Sequence, residues 1–241
     1  MRRSKSAGSR RRAAGQDRSG WIEKEARALL HEAGRSLVRL ERHSARAVAE
    51  AAEAMVACLE SGGTVYFCGN GGSAADAQHL AAELAGRYLL ERPAIAAVAL
   101  TTNSSALTAI GNDYGFDVVF SRQLEGLGAP GDVLVAISTS GGSANVVRAV
   151  EAAHLQGMTV IGMTGLEGTR FAKLCDLALV TPSASTPRIQ EGHITMGHAL
   201  CELIERAMFP ARPGARAAGA RRSGSTRRAP RRGKRGLCSS P

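Results

Sequence analysis

The sequence predicts an α/β fold: a three-layer, doubly wound parallel sheet of about five strands with a long N-terminal helical segment. Three observations lead there. Five short apolar runs, at 65–68, 95–100, 133–137, 160–163 and 177–180, are unbroken and partly β-branched, as strands buried on both faces require. Helical stretches separate them, near 73–87, 103–110, 117–127, 143–156 and 168–174, and a last one runs from about 188 to 208. Strands alternating with helices in this way build a parallel sheet covered on both faces. Ahead of the first strand, residues 21–61 contain no proline and carry apolar side chains at helical intervals. These are Leu29, Leu30, Ala33, Leu37 and Leu40, then Val48, Ala52, Val56 and Leu59. The segment reads as one long helix or a pair, ended by Gly62-Gly63, and its length at the edge of a domain suggests packing on another subunit.

Charge separates the ends from the middle. The 241-residue chain holds 31 Lys and Arg against 21 Asp and Glu, a net charge of +10. Taken whole, that balance points to a nucleic-acid binder. Residues 1–18, however, hold seven basic residues and one acid, Asp17, and residues 211–241 hold ten basic residues and no acid. The 14 basic and 20 acidic residues left in 19–210 give the middle a net charge of −6. Both ends are rich in Arg, Ser, Gly and Ala with little to bury. They are expected to be disordered tails, 1–20 and 211–241, flanking one domain at 21–210. Nucleic acid would meet the tails only as a salt-sensitive, non-specific accessory contact.

Several classes drop out on composition. No apolar run approaches the ~18 residues that span a bilayer, and the N-terminus lacks the apolar stretch of a secretory signal. The Arg- and Ser-rich start looks like a transit peptide, but the far end has the same composition. The five cysteines (58, 68, 175, 201, 238) form no metal-binding spacing, and four lie in apolar stretches. A soluble, cytoplasmic protein with reduced thiols is expected. Aromatics are 4% of residues, too few for base-stacking platforms.

In open parallel sheets ligands bind at the carboxyl ends of the strands, so the loops after the strands carry the chemistry. After the first strand comes Cys68-Gly69-Asn70-Gly71-Gly72-Ser73, and after the third comes Ser138-Thr139-Ser140-Gly141-Gly142-Ser143, each followed by a helix. Glycines let a backbone approach a ligand, and hydroxyls with a helix N-terminus supply donors for an anion. Neither loop is GxxxxGK[ST] or GxGxxG, so a phosphorylated ligand other than a nucleotide is expected. The helix after the first loop carries His79 and Glu83 at i,i+4. The last helix carries Gln190, Glu191, His193 and His198, and spacing singles out neither histidine. Gln190 and His193 are one turn apart, whereas Gln190 and His198 are ~12 Å apart along a helix. Gly111-Asn112-Asp113-Tyr114-Gly115 is a third polar spot, fit for sugar hydroxyls or a plain turn.

Together these motifs resemble a known family. Cys68-Gly-Asn-Gly-Gly-Ser73, Asp76-Ala-Gln-His79, Glu83-Leu-Ala-Gly-Arg87-Tyr88, Gly111-Asn-Asp-Tyr-Gly-Phe116, Gly131-Asp-Val-Leu, Ile137-Ser-Thr-Ser-Gly141 and Arg188-Ile-Gln-Glu191 occur in order over about residues 21–210. The set is similar to the sugar isomerase (SIS) fold, a flavodoxin-like arrangement, and within it to the phosphoheptose isomerases. The resemblance implies that Asn70, Gly71, Gly72 and Ser73 line the sugar phosphate, that Asn112 and Asp113 contact it, and that Ser138, Thr139, Ser140 and Ser143 hold the phosphate. It implies that His79, Glu83, Gln190 and His198 bind one zinc ion per subunit or act on the substrate, with Glu83 and His198 the catalytic pair. Glu83 and Gln190 also count among the substrate-binding residues. A homotetramer with sites at subunit contacts is implied as well. The Gln190–His198 separation is accommodated if Gln190 lies in an irregular start to the helix, or if the two come from different subunits. Where some relatives carry an acid before Arg-Ile-Gln-Glu, this chain has Pro187.

The implied activity converts D-sedoheptulose 7-phosphate to D-glycero-D-manno-heptose 7-phosphate through an enediol, the first step toward activated heptose. A carboxylate and an imidazole are the proton carriers such a reaction needs. The alternative from another class is a non-catalytic SIS protein that binds a sugar phosphate or a replication-initiator partner. Relatives of that kind lack the acid and the histidine at the positions of Glu83 and His198, and both are present here.

Overall fold

In the structure, a computed structural model, the backbone is described for residues 5–210 and the side chains from residue 18 onward. Residues 1–4 and the basic C-terminal segment 211–241 lie outside the described residues, and with them the nucleic-acid contact expected of the C-terminal tail. The N-terminal boundary placed at residue 20 is not a break in the backbone: helix α1 runs from Lys5 to Glu60 as one helix, not a pair. The Ala-, Arg- and Glu-rich composition, without proline, favours the helical state throughout. Gly62, at φ 84°, ends the turn after α1.

Five parallel strands follow: β1 (Val65–Gly69), β2 (Ala97–Ala99), β3 (Val133–Ile137), β4 (Thr159–Gly165) and β5 (Leu177–Thr181). Between and after them run α2 (Gly72–Ala85), α3 (Ser104–Asp113), a 3₁₀ turn (Phe116–Val118), α4 (Ser121–Leu127), α5 (Ala144–Leu155), α6 (Thr169–Ala172) and α7 (Thr186–Met208). The strand order is β2-β1-β3-β4-β5. β2 is shorter than its apolar run, since Ile95 is buried ahead of the pairing residues. Pro187 begins α7, where a missing N–H costs nothing.

Alternation along the strands builds two cores. Val65 and Phe67 face α1, α2 and α7, packing with Met55, Leu80, Leu84, Met196 and Leu200. Tyr66 and Cys68 face the other side, with Leu124, Val146, Val150 and Phe171. Asp132 fastens the opposite end of the sheet from the loops, accepting from Thr64 N at 2.8 Å and Ala129 N at 2.9 Å. α1 is anchored from Ser36 onward through Leu40, Ser44 and Val48, and Ser44 Oγ donates to Val180 O at 2.8 Å. Its earlier apolar residues Trp21, Ile22, Leu29 and Leu30 are more than half exposed in the protomer. Among the described residues, no helix is long and apolar enough to cross a membrane.

α2 and α7 lie parallel, side by side, with a nearly constant sequence offset. Gly72 meets Gln190, Leu80 meets Gly197, His79 meets His198, and Tyr88 meets Glu205. A Cβ at Gly197 would stand 2.6 Å from both δ carbons of Leu80, which is itself buried. Gly197→Ala is therefore expected to push the two helices apart and cost about 1–3 kcal/mol in urea denaturation; an unchanged midpoint would show that Leu80 gives way instead.

His193 on α7 lies against Thr164 of β4 with no exposed surface, and neither ring nitrogen has a hydrogen-bond partner. Burial pulls its pKa down to about 4, against a weaker opposing effect of the Thr164 backbone. The unfolded chain binds a proton there near pH 6.5 and the folded chain does not, so stability falls as pH drops through that window toward 4. The loss is expected to reach about 3 kcal/mol, and denaturation of His193→Leu over the same pH range should be flatter. Parallel curves for the two proteins would refute this.

Candidate active site

β1 and β3 are neighbours at the point where the strand order reverses, so the loops after them share one crevice. In the first loop Gly71 adopts φ 56°, a conformation that disfavours any side chain. A Cβ at Gly69 would lie 2.7 Å from the Ser73 carbonyl oxygen, so the strand end and helix start approach as only glycine permits. No side chain caps the first N–H groups of α2. In the second loop Gly141 turns at φ 69°. Ser143 precedes α5 without capping it, and its hydroxyl lies 3.1 Å from Ser138 Oγ instead. Two helix N-termini with no capping side chain thus border one crevice, a favourable setting for an anion.

A pair of amides joins the two loops. Asn70 Nδ2 donates to Asn145 Oδ1 at 2.8 Å, and Asn145 Nδ2 donates back to Asn70 Oδ1 at 2.9 Å. Asn145 is buried in the first turn of α5, and the loop pattern did not single it out. Its signal is an amide among the apolar residues Val146, Ala149 and Val150. The second loop is fastened to β4, since Thr139 O accepts from Gly165 N at 3.0 Å. Ser138 is buried and Ser140 is exposed, its Oγ accepting from Gly142 N at 3.2 Å.

Farther along α2 and α7 three side chains converge. His79 Nε2 and His198 Nε2 are 2.9 Å apart, and Glu83 Oε1 is 3.4 Å from His79 Nε2. The ring of Tyr88 stacks on His198, with centroids 5.6 Å apart. His79 and Glu83 keep 47% and 25% of their side-chain surface exposed, so the cluster is open to a ligand. The two histidines that spacing could not separate are separated by burial: His193 is in the core and His198 faces His79.

The remaining candidates are placed as follows. Gln190 is within the regular part of α7, so an irregular helix start does not bring it nearer His198. Its amide covers Gly72, where a Cβ would overlap it, at the loop end of the crevice. Asn112 and Asp113 are exposed at the end of α3 and bond to each other, Asn112 Nδ2 donating to Asp113 Oδ1 at 2.8 Å. The protomer does not bring that pair to the His79–Glu83–His198 cluster by any described hydrogen bond.

The donor chemistry fits a zinc ion. Two Nε2 atoms at 2.9 Å can both keep their protons only with a clash, so at least one presents a lone pair toward the other. Ligand atoms about 2.0–2.1 Å from a tetrahedral zinc are roughly 3.4 Å from each other. The His79–Glu83 separation already matches, and the two imidazoles would open by a few tenths of an ångström. Among the described residues no group of three or more His, Cys, Asp or Glu forms a ready-made cage. Thiolate takes no part: burial first, then Glu83 and Glu205, push Cys201 up to about 12. The other described cysteines are likewise unpaired and raised by burial.

Comparison with known proteins identifies relatives of the fold and of the sequence. The SIS domain family matches residues 29–165. The phosphoheptose isomerase of Rhodospirillum rubrum is 58% identical over 187 residues, covering 78% of this chain and 99% of that protein. A solved phosphoheptose isomerase from Neisseria gonorrhoeae superposes with a TM-score of 0.72 at 50% identity, covering 76% of this chain and 98% of the other. One from Francisella tularensis gives 0.74 at 38% identity, covering 77% and 98%. With its fold, its loops and its sequence in agreement, the chain belongs to the SIS-domain proteins and, among them, to the phosphoheptose isomerases.

Proposed function

We propose that the chain is an aldose–ketose isomerase that converts D-sedoheptulose 7-phosphate to D-glycero-D-manno-heptose 7-phosphate, at the head of activated-heptose formation. The observation that carries this is the convergence of His79, Glu83 and His198 in an open cluster beside two uncapped helix N-termini. An acid and two imidazoles held together in this way supply the proton carriers that an enediol mechanism needs.

In this mechanism the phosphate is held by the α5 N-terminus and the hydroxyls of Ser138, Thr139, Ser140 and Ser143. Asn70, Gly71, Gly72 and Ser73 line the sugar, and Gln190 closes over Gly72. Asn112 and Asp113 remain proposed substrate contacts. Glu83 takes the proton from C1 while His198 gives one to the C2 carbonyl oxygen, leaving an enediol. Glu83 then returns its proton to C2, and His198 takes the proton from O1 as the C1 carbonyl forms. Tyr88 keeps water from one face of the His198 ring and fixes its orientation. His79, Glu83 and His198 would hold a zinc ion, joined by a Gln190 from a neighbouring subunit, and when bound the ion would supply a Lewis acid to the reacting carbonyl. Glu83 serves as ligand or as base at any one step, not both.

The working form is proposed to be a cytoplasmic homotetramer. Trp21, Ile22, Leu29, Leu30 and Val38 are exposed along α1, an apolar surface that needs cover. Free cysteines agree with a reducing compartment.

Incubation with sedoheptulose 7-phosphate, followed by NMR, should show the aldoheptose. Glu83→Gln and His198→Ala should each lower kcat by about 10²–10⁴-fold with the fold retained, and a chelator should abolish turnover until zinc is restored. No turnover by folded, zinc-loaded protein would sink the isomerase reading; full turnover after chelation would sink the metal alone. Sedimentation should give the mass of four chains, and Leu30→Glu should lower it. A monomeric wild-type chain would contradict the tetramer.

A further inference from the structure

Outside the reacting cluster the structure buries a complete ion pair. The side chains of Arg92 and Glu205 are each about 1% exposed, and Arg92 Nε donates to Glu205 Oε1 at 2.9 Å. Every acceptor position of the carboxylate is used: Oε1 also accepts from Tyr88 N at 2.9 Å, and Oε2 accepts from Leu89 N at 2.8 Å and Leu90 N at 2.9 Å. Burial alone would push the Glu205 carboxyl up, but these N–H donors and the guanidinium hold it below the usual carboxylate range. The guanidinium is engaged at all three nitrogens. Nη2 donates to Glu83 O at 2.9 Å, and Nη1 shares its two hydrogens among Leu84 O at 2.8 Å, Pro93 O at 3.0 Å and Gly86 O at 3.2 Å.

The partners of this pair are the segments that carry the reacting groups. Arg92 collects carbonyls from the last turn of α2, beginning with that of Glu83 itself, where the helix has no basic residue of its own. Glu205 gathers three consecutive N–H groups that fix the segment starting at Tyr88, whose ring lies on His198. His198 and Glu205 are seven residues apart on α7, so both face the same side of that helix.

We propose that Arg92 and Glu205 are positioning residues for the isomerisation: a buried clamp that sets Glu83 on α2 and Tyr88 on His198 at the same time. The proposal rests on the isomerase reading for its kinetic consequence and on the geometry for its structural one. A lysine at position 92 keeps the charge but cannot span Glu205 and the carbonyls of α2 together.

The test compares wild type with Arg92→Lys, each checked for fold by circular dichroism, in turnover of sedoheptulose 7-phosphate and in the NMR shifts of labelled histidine rings. Tyr88→Leu identifies the ring-current shift that Tyr88 imposes on His198. For Arg92→Lys, kcat is expected to fall by about 10²-fold, as for a misplacement near 1 Å, with KM within about threefold of wild type. The His198 resonances are expected to move toward those of Tyr88→Leu. Unchanged kcat, or unmoved His198 resonances, would overturn the clamp. If Arg92→Lys does not fold, Glu205→Asp, which keeps the charge and shortens the reach, is judged by the same two results. A wild-type chain that turns over nothing overturns the isomerase reading instead, and the His198 shift then decides the clamp.

Discussion

The parallel contact of α2 with α7 is the constraint on which the site depends. The two helices are more than 100 residues apart in sequence, yet they meet at a nearly fixed offset, from Gly72 against Gln190 to Tyr88 against Glu205. The close approach needs Gly197, since any larger residue would meet Leu80. Once the helices are in register, His79 and Glu83 on one and His198 on the other can only converge. None of the three comes from a loop, and that rigidity suits proton transfers whose rates fall steeply with misplacement.

The other half of the site solves a charge problem. Residues 19–210 carry a net charge of −6, which does not favour a phosphorylated sugar. In the proposed mechanism local dipoles do the binding: two helix N-termini without capping side chains, and the hydroxyls of Ser138 and Ser143, which lie 3.1 Å apart. The Asn70–Asn145 amide pair holds the two loops to one spacing. The excess of positive charge lies in residues 1–18 and 211–241.

Much of this was legible in the sequence, and for identifiable reasons. Strands buried on both faces leave unbroken apolar runs, which marks β1, β3 and β4. The apolar runs of the part-exposed edge strands β2 and β5 mark those within a few residues. The glycine and hydroxyl loops declared themselves by composition. What local pattern could not show were contacts between distant segments. Spacing left His193 and His198 equivalent; only the facing of α7 puts one in the core and the other at His79. Asn145 and the Arg92–Glu205 pair were missed for the same reason, although Glu205 had a signal: a carboxylate beside Ile204 on the buried face of α7. The apolar residues of the first half of α1 were visible, and the structure leaves Trp21, Ile22, Leu29 and Leu30 more than half exposed.

The most direct test of the account is whether the imidazoles of α2 and α7 act as one unit. His79→Ala, His198→Ala and the double variant can be compared in kcat/KM for sedoheptulose 7-phosphate. Groups that work together lose nearly all their effect when either is removed. The account predicts that the double variant is no slower than the slower single by more than about threefold. Losses that multiply across the two sites would mean that the histidines act independently, and that the contact between α2 and α7 does not build the active site.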